Sequence, residues 1–98
     1  MLSYTYTHCD PLSRAIREGA QLIDVRSAAK CAQAMLPGAI NLPLDEIETA
    51  PERLDFDRTL FLYCRSGQSS ELARQKLSQM GHGDCRNTGS YSTFERCA

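Results

Sequence analysis

The run CRSGQSS, from Cys64 to Ser70, ends an apolar stretch on a cysteine and follows it with a short polar turn. Residues of these types in this order suit the making of a thiolate. A free cysteine thiol has a pKa of roughly 8.5 and is largely protonated at neutral pH. Lowering that value by about two units requires about 2.7 kcal/mol of preferential stabilisation of the anion. One exposed helix terminus supplies less than this, so several donors must converge on the sulfur. Arg65 brings a cation to the next position, Gly67 lets the backbone turn inward without a Cβ, and Ser66, Gln68 and Ser69 add short polar groups. A cysteine at a strand end also serves simply as core, and the competing reading of Cys64 is packing alone. The polar loop and Arg65 tip the balance toward the thiolate.

Two elements must position such a loop. Residues 59–64, TLFLYC, form a continuous apolar run of aromatic and aliphatic side chains, which predicts a strand buried on both faces. Residues 69–80 set Leu72, Ala73, Lys76, Leu77 and Met80 at helical spacing, with Gly81 as the stop. Strand, tight loop and helix then follow one another, and the unpaired N–H groups of the helix's first turn make the loop an anion cradle.

The rest of the chain alternates in the same way. Strands are predicted at residues 3–7, 21–25, 39–43 and 84–87. A helix capped by Asp10, with Pro11 at its first position, runs to Glu18 before Gly19, and Ser27 caps a second through Gln33. Short helical turns are expected at 46–48 and 51–54, and a last helix at 91–96. This order implies an α/β domain with a largely parallel sheet, in which ligands sit beyond the carboxyl ends of the strands, where Cys64 lies.

At 98 residues and 42% hydrophobic, residues 1–98 make one domain with a modest core. The net charge of −1 and the dispersal of the basic residues exclude a nucleic-acid face. No charged start leads into an apolar run, and no stretch is long enough to span a bilayer, so the chain reads as cytoplasmic and free of the membrane. Cys9, Cys31, Cys64, Cys85 and Cys97 are odd in number and lack CxxC spacing, which fits free thiols in a reducing compartment. His8 and His82 read as single surface or turn residues without ligand spacing, and neither a metal nor an organic cofactor is implied.

Three motifs, LIDVR at Leu22 to Arg26, PGAINLP at Pro37 to Pro43 and CRSGQSS at Cys64 to Ser70, together resemble the single-domain rhodanese sulfurtransferases. The resemblance implies a rhodanese-like fold, a parallel sheet with helices on both faces. It implies that Cys64 is the nucleophile that accepts a sulfane sulfur as a persulfide and passes it to a thiol or cyanide. On the same ground, the backbone amides of Arg65, Ser66, Gly67, Gln68 and Ser69 hold the anionic donor, such as thiosulfate, and Ser69 stands where relatives carry a hydroxyl or a base. Asp24 and Arg26 match a pair that braces the loop; a plain strand-end salt bridge and direct contact with substrate are the alternatives.

Where relatives carry an acidic residue, an aromatic and then GHIPGA, this chain has Lys30, Cys31, Ala34, Met35 and Leu36 before the matching Pro37. The usual Gly-Gly turn is reduced to Thr88, Gly89, Ser90 and Tyr91. A phosphatase of related loop design needs an arginine six residues after the cysteine, and here that residue is Ser70. The competing function is a persulfide carrier or regulatory module charged by a protein sulfur donor. Cys31, Cys85 and Cys97 read as structural, Phe61 and Tyr63 as buried strand, and Tyr91 as a candidate for the site edge.

Overall fold

A computed structural model describes residues 17–36 and 38–90. Strands β1 (Gln21–Asp24), β2 (Ile40–Asn41), β3 (Leu60–Cys64) and β4 (Cys85–Ser90) form one sheet in the order β2-β1-β3-β4. Every pairing is parallel. Between them lie α1 (Ala28–Gln33), a 3-10 segment (Leu44–Thr49), α2 (Ala50–Arg53) and α3 (Gln68–Gln79). The expected α/β architecture and parallel sheet are therefore present, and β4 extends beyond the residues 84–87 expected of it. The strand expected at 3–7, nearly all of the helix expected from residue 10, and the helix at 91–96 lie outside the described residues, as do Tyr91, His8, Cys9 and Cys97.

The continuous apolar character of β3 follows from its central place, since a strand of a parallel sheet needs apolar side chains on both faces. Alternation sends Leu60, Leu62 and Cys64 to one face, where Ile23, Leu42, Ile47, Ala73 and Leu77 complete the core. Phe61 and Tyr63 go to the other, with Ala20, Leu22 and Leu36. Helix α3 covers the first face through Ser70, Ala73 and Leu77, with Met80 packed at its end. Leu72 and Lys76 were expected on that stripe and are exposed instead, Leu72 by 50%. Leu72 lies about 100° around the axis from Ala73, so a stripe centred on Ala73 and Leu77 leaves it to solvent. Gly81, at φ 104°, closes the helix in the left-handed conformation.

His82 was expected on the surface or in a turn, and it lies in the turn after the helix but is not exposed. It follows the helix stop but is 4% exposed, with Nε2 2.8 Å from the Arg58 carbonyl and Nδ1 accepting the Asp84 N–H at 3.0 Å. These two contacts define the neutral tautomer protonated at Nε2, which donates to Arg58. The ring also meets Phe56 edge-on, with centroids 5.0 Å apart.

Candidate active site

Cys64 ends β3 on the face covered by α3, so its side chain meets the first turn of that helix. The loop between them closes in a single step because Gly67 takes φ 92°, a left-handed conformation that L side chains adopt only under strain. The Gly67 N–H then donates to Cys64 Sγ at 2.9 Å and the Ser70 N–H at 3.4 Å. The Ser70 hydroxyl stands 3.4 Å from the same sulfur. At 3% exposure Cys64 is as buried as a core residue, yet its sulfur faces polar donors rather than the apolar interior. The two readings of a strand-end cysteine meet in one residue: the chain packs it and the loop solvates it.

These contacts decide the acidity of the thiol. Burial pushes it up, but hydrogen bonds from the Ser70 side chain and from the backbone of Ser70, Gly67 and Ser66 outweigh burial and hold it below the ordinary cysteine range. Cys31 and Cys85 show the opposite outcome. Burial and a neighbouring carboxylate, Asp24 for Cys31 and Asp84 for Cys85, push each to about 11. Among the described cysteines, Cys64 alone is lowered.

Ser70 rather than Ser69 is the hydroxyl beside the sulfur. It is fully buried, and its single proton has three acceptors in reach: Asn87 Oδ1 at 2.7 Å, the Gly67 carbonyl at 3.1 Å and Cys64 Sγ. Asn87, on β4, also donates through Nδ2 to the Gly67 carbonyl at 3.0 Å. It is aimed there beside a β-bulge, where Leu62 pairs with Asn87 but Tyr63 pairs with Gly89. The spacing 70, 73, 77 on the inward stripe of α3 was the signal for Ser70. Asn87 had no local signal, because only the pairing of β4 with β3 brings it to the loop.

A cavity of about 450 Å³ opens over Cys64. Arg26, Ser27, Lys30 and Gln33 line it from the α1 side, and Arg65, Ser66 and Ser69 from the loop. Gly67 contributes its N–H to the sulfur, whereas the exposed Gln68 starts α3 with its N–H on Ser66 Oγ. Among the described residues, no carboxylate side chain lines the cavity.

Asp24 and Arg26 pair at the end of β1. The buried Asp24 carboxylate accepts from the Arg26 N–H at 2.9 Å and from its guanidinium at 2.7 to 3.1 Å. The guanidinium also donates to the Ala34 carbonyl at 2.5 Å. Tyr63 Oη accepts the Leu36 N–H at 3.2 Å, so this buried network ties the segment after α1 to the sheet. Burial would raise the Asp24 carboxyl, but the bonds from Arg26 hold it below the usual carboxylate range. Among the described residues, no three His, Cys, Asp or Glu side chains gather as a metal site. No helix there is long and apolar enough to cross a membrane.

A parallel sheet whose central strand delivers a cysteine to a helix N-terminal loop defines a class, and comparison with known proteins gives its name. Residues 9–97 match the rhodanese-like domain, and the chain belongs to that family. It is 39% identical over 70 residues to a sulfurtransferase of Allochromatium vinosum, covering 71% of this chain and 65% of that one. It is 36% identical over 72 residues to the Escherichia coli thiosulfate sulfurtransferase PspE, covering 68% and 66%. The chain thus spans just under two thirds of the length of these relatives. Among solved structures, a rhodanese with anions from E. coli superposes with a TM-score of 0.70 at 33% identity, over 79% of this chain and 93% of that one. The human single-domain sulfurtransferase TSTD1 gives 0.75 at 27% identity, over 88% and 90%.

Proposed function

We propose that the protein is a sulfurtransferase that moves a sulfane sulfur from thiosulfate to a thiophilic acceptor through a persulfide on Cys64. The observation that carries this reading is the acidified Cys64 sulfur, held by loop N–H groups beneath a cavity lined by Arg26, Lys30 and Arg65. A thiolate there attacks the outer sulfur of thiosulfate; the bond from Cys64 Sγ forms as the sulfur–sulfur bond of the donor breaks, and sulfite leaves with the electron pair. The charge relocates to the new terminal sulfur of the persulfide, which extends from Sγ toward the cavity. The N–H groups of the 64–70 loop stabilise this anion as they did the thiolate. Arg65, Ser66 and Ser69 act on the donor's sulfonate end, Gly67 and Gln68 shape the loop, and Asp24 with Arg26 holds the opposite wall. The relatives named for thiosulfate chemistry, PspE and a human thiosulfate:glutathione sulfurtransferase at 31% identity, support the choice of donor.

Intact mass after incubation with thiosulfate tests it. A gain of one sulfur atom on the wild type and none on Cys64→Ser is the expected result, with thiocyanate formed when cyanide follows. No gain with thiosulfate overturns the proposed donor. Rapid charging by a protein persulfide donor in that event makes the chain a carrier instead.

A further inference from the structure

Thiosulfate is an ion of a few atoms, whereas a cavity of about 450 Å³ lies in the size range that receives larger organic ligands. The surplus space has a definite chemical character. The three cations that line it among the described residues are not equivalent. The Arg26 side chain is 12% exposed and is matched by the Asp24 carboxylate, so little net charge remains there. Lys30, from α1, and Arg65, from the loop, face the same space, are exposed, and form no ion pair among the described residues. With no acidic side chain among the described residues of the lining, the two bring a pair of positive charges to the space above Cys64 from different elements.

We infer that the cavity is an acceptor subsite for a small organic thiol carrying a carboxylate, and that Lys30 is the residue selecting it. This rests on the sulfurtransferase reading above. The loop and Arg65 suffice for the donor, and Lys30, which lines the same cavity from α1 rather than from the loop, is the cation left for the remote end of an extended acceptor whose sulfur meets the persulfide. In that step the acceptor thiol attacks the terminal sulfur of the anionic Cys64 persulfide and gives that sulfur its proton. A bond forms between the two sulfurs, the bond to Sγ breaks, and its electron pair returns to Cys64 as thiolate. The proton stays on the transferred sulfur, and the product is the acceptor's persulfide. A carboxylate paired with Lys30 orients the attack and relieves the unpaired charge of the rim. A neutral thiol gains neither.

The experiment follows single-turnover discharge of the Cys64 persulfide, read by mass at the Cys64 peptide. The persulfide is loaded with thiosulfate, or chemically with inorganic polysulfide. The probes are 3-mercaptopropionate and 2-mercaptoethanol, compared after correction for thiolate fraction. The wild type should discharge to the carboxylate thiol about tenfold faster. Lys30→Ala should bring the ratio near one and Lys30→Glu should reverse it. Added salt should compress the wild-type ratio. Equal rates in the wild type, or a ratio indifferent to Lys30→Glu, would overturn the inference. Failure of thiosulfate to load Cys64 would remove the proposed donor while leaving the polysulfide-loaded comparison decisive for the acceptor.

Discussion

The Ser70 hydroxyl lies 3.4 Å from Cys64 Sγ, inside the protein, where water cannot substitute for it. It joins two elements that meet only in the fold, since Cys64 ends β3 and Ser70 faces inward from the first turn of α3. The thiol therefore owes its acidity to local donors in a buried setting, where each is stronger than it would be in water.

Ser70→Ala should raise the Cys64 pKa. A hydrogen bond to a charged group contributes about 1.5 kcal/mol or more, equivalent to about one pH unit. The shift should not exceed this greatly, because Asn87 Oδ1, at 2.7 Å, competes for the same proton. The rate of iodoacetamide labelling at the Cys64 peptide against pH gives the midpoint. Cys31 and Cys85, held near 11, serve as slow internal references. An unchanged midpoint would show that the backbone donors suffice.

Gly67→Ala tests the loop's turn. At φ 92° an added Cβ brings about 1–2 kcal/mol of strain, and relief of that strain moves the N–H that donates to Sγ at 2.9 Å. Chemical denaturation should register the lost stability, and the Cys64 labelling midpoint should rise in the same variant. Loss of stability with an unaltered midpoint would separate the turn from the acidity.

How much of this was legible beforehand depended on the range of the interaction. The strand at 59–64 announced itself because a central parallel strand must be apolar on both faces, and the helix after it because Ala73 and Leu77 repeat at its period. Ser27 was readable as a cap because its bond to the Lys30 N–H spans three residues. Cys64 and its loop were visible as a motif. The choice between Ser69 and Ser70 was only partly so: the spacing 70, 73, 77 pointed to Ser70, but a stripe that also took in Leu72 and Lys76 did not single it out, and packing decides which face of α3 turns inward. Asn87 and the buried neutral His82 depend on contacts 17 and 24 residues away, to Ser70 and Arg58, which no local pattern encodes.

His82→Phe should destabilise the fold without altering the thiol. The aromatic replacement keeps a ring against Phe56 but strands the Asp84 N–H and the Arg58 carbonyl, a loss of about 2 kcal/mol. In a domain of this size that lowers Tm by roughly 10 °C. Because Arg58 precedes β3 and Cys64 ends it, labelling of Cys64 well below the transition should keep the wild-type rate. A Tm within a degree or so of wild type would mean that both groups find other partners.

Asp24→Asn removes the buried anion that pairs with the partly buried Arg26. Breaking a buried pair by deleting one partner costs about 3 kcal/mol, and the Ala34 carbonyl loses a guanidinium held in place by Asp24. Acid titration separates this charge from simple packing. The folded Asp24 carboxyl sits below its unfolded value of about 3.9, so the unfolded chain binds the proton more tightly. Its stabilisation is complete above about pH 5 and drains as pH falls through about 4 toward the folded value. Denaturation midpoints measured from pH 7 down to pH 3 should therefore converge for wild type and Asp24→Asn. A constant gap across that range would mean that the asparagine fails by shape, with the carboxylate's charge adding nothing to the fold.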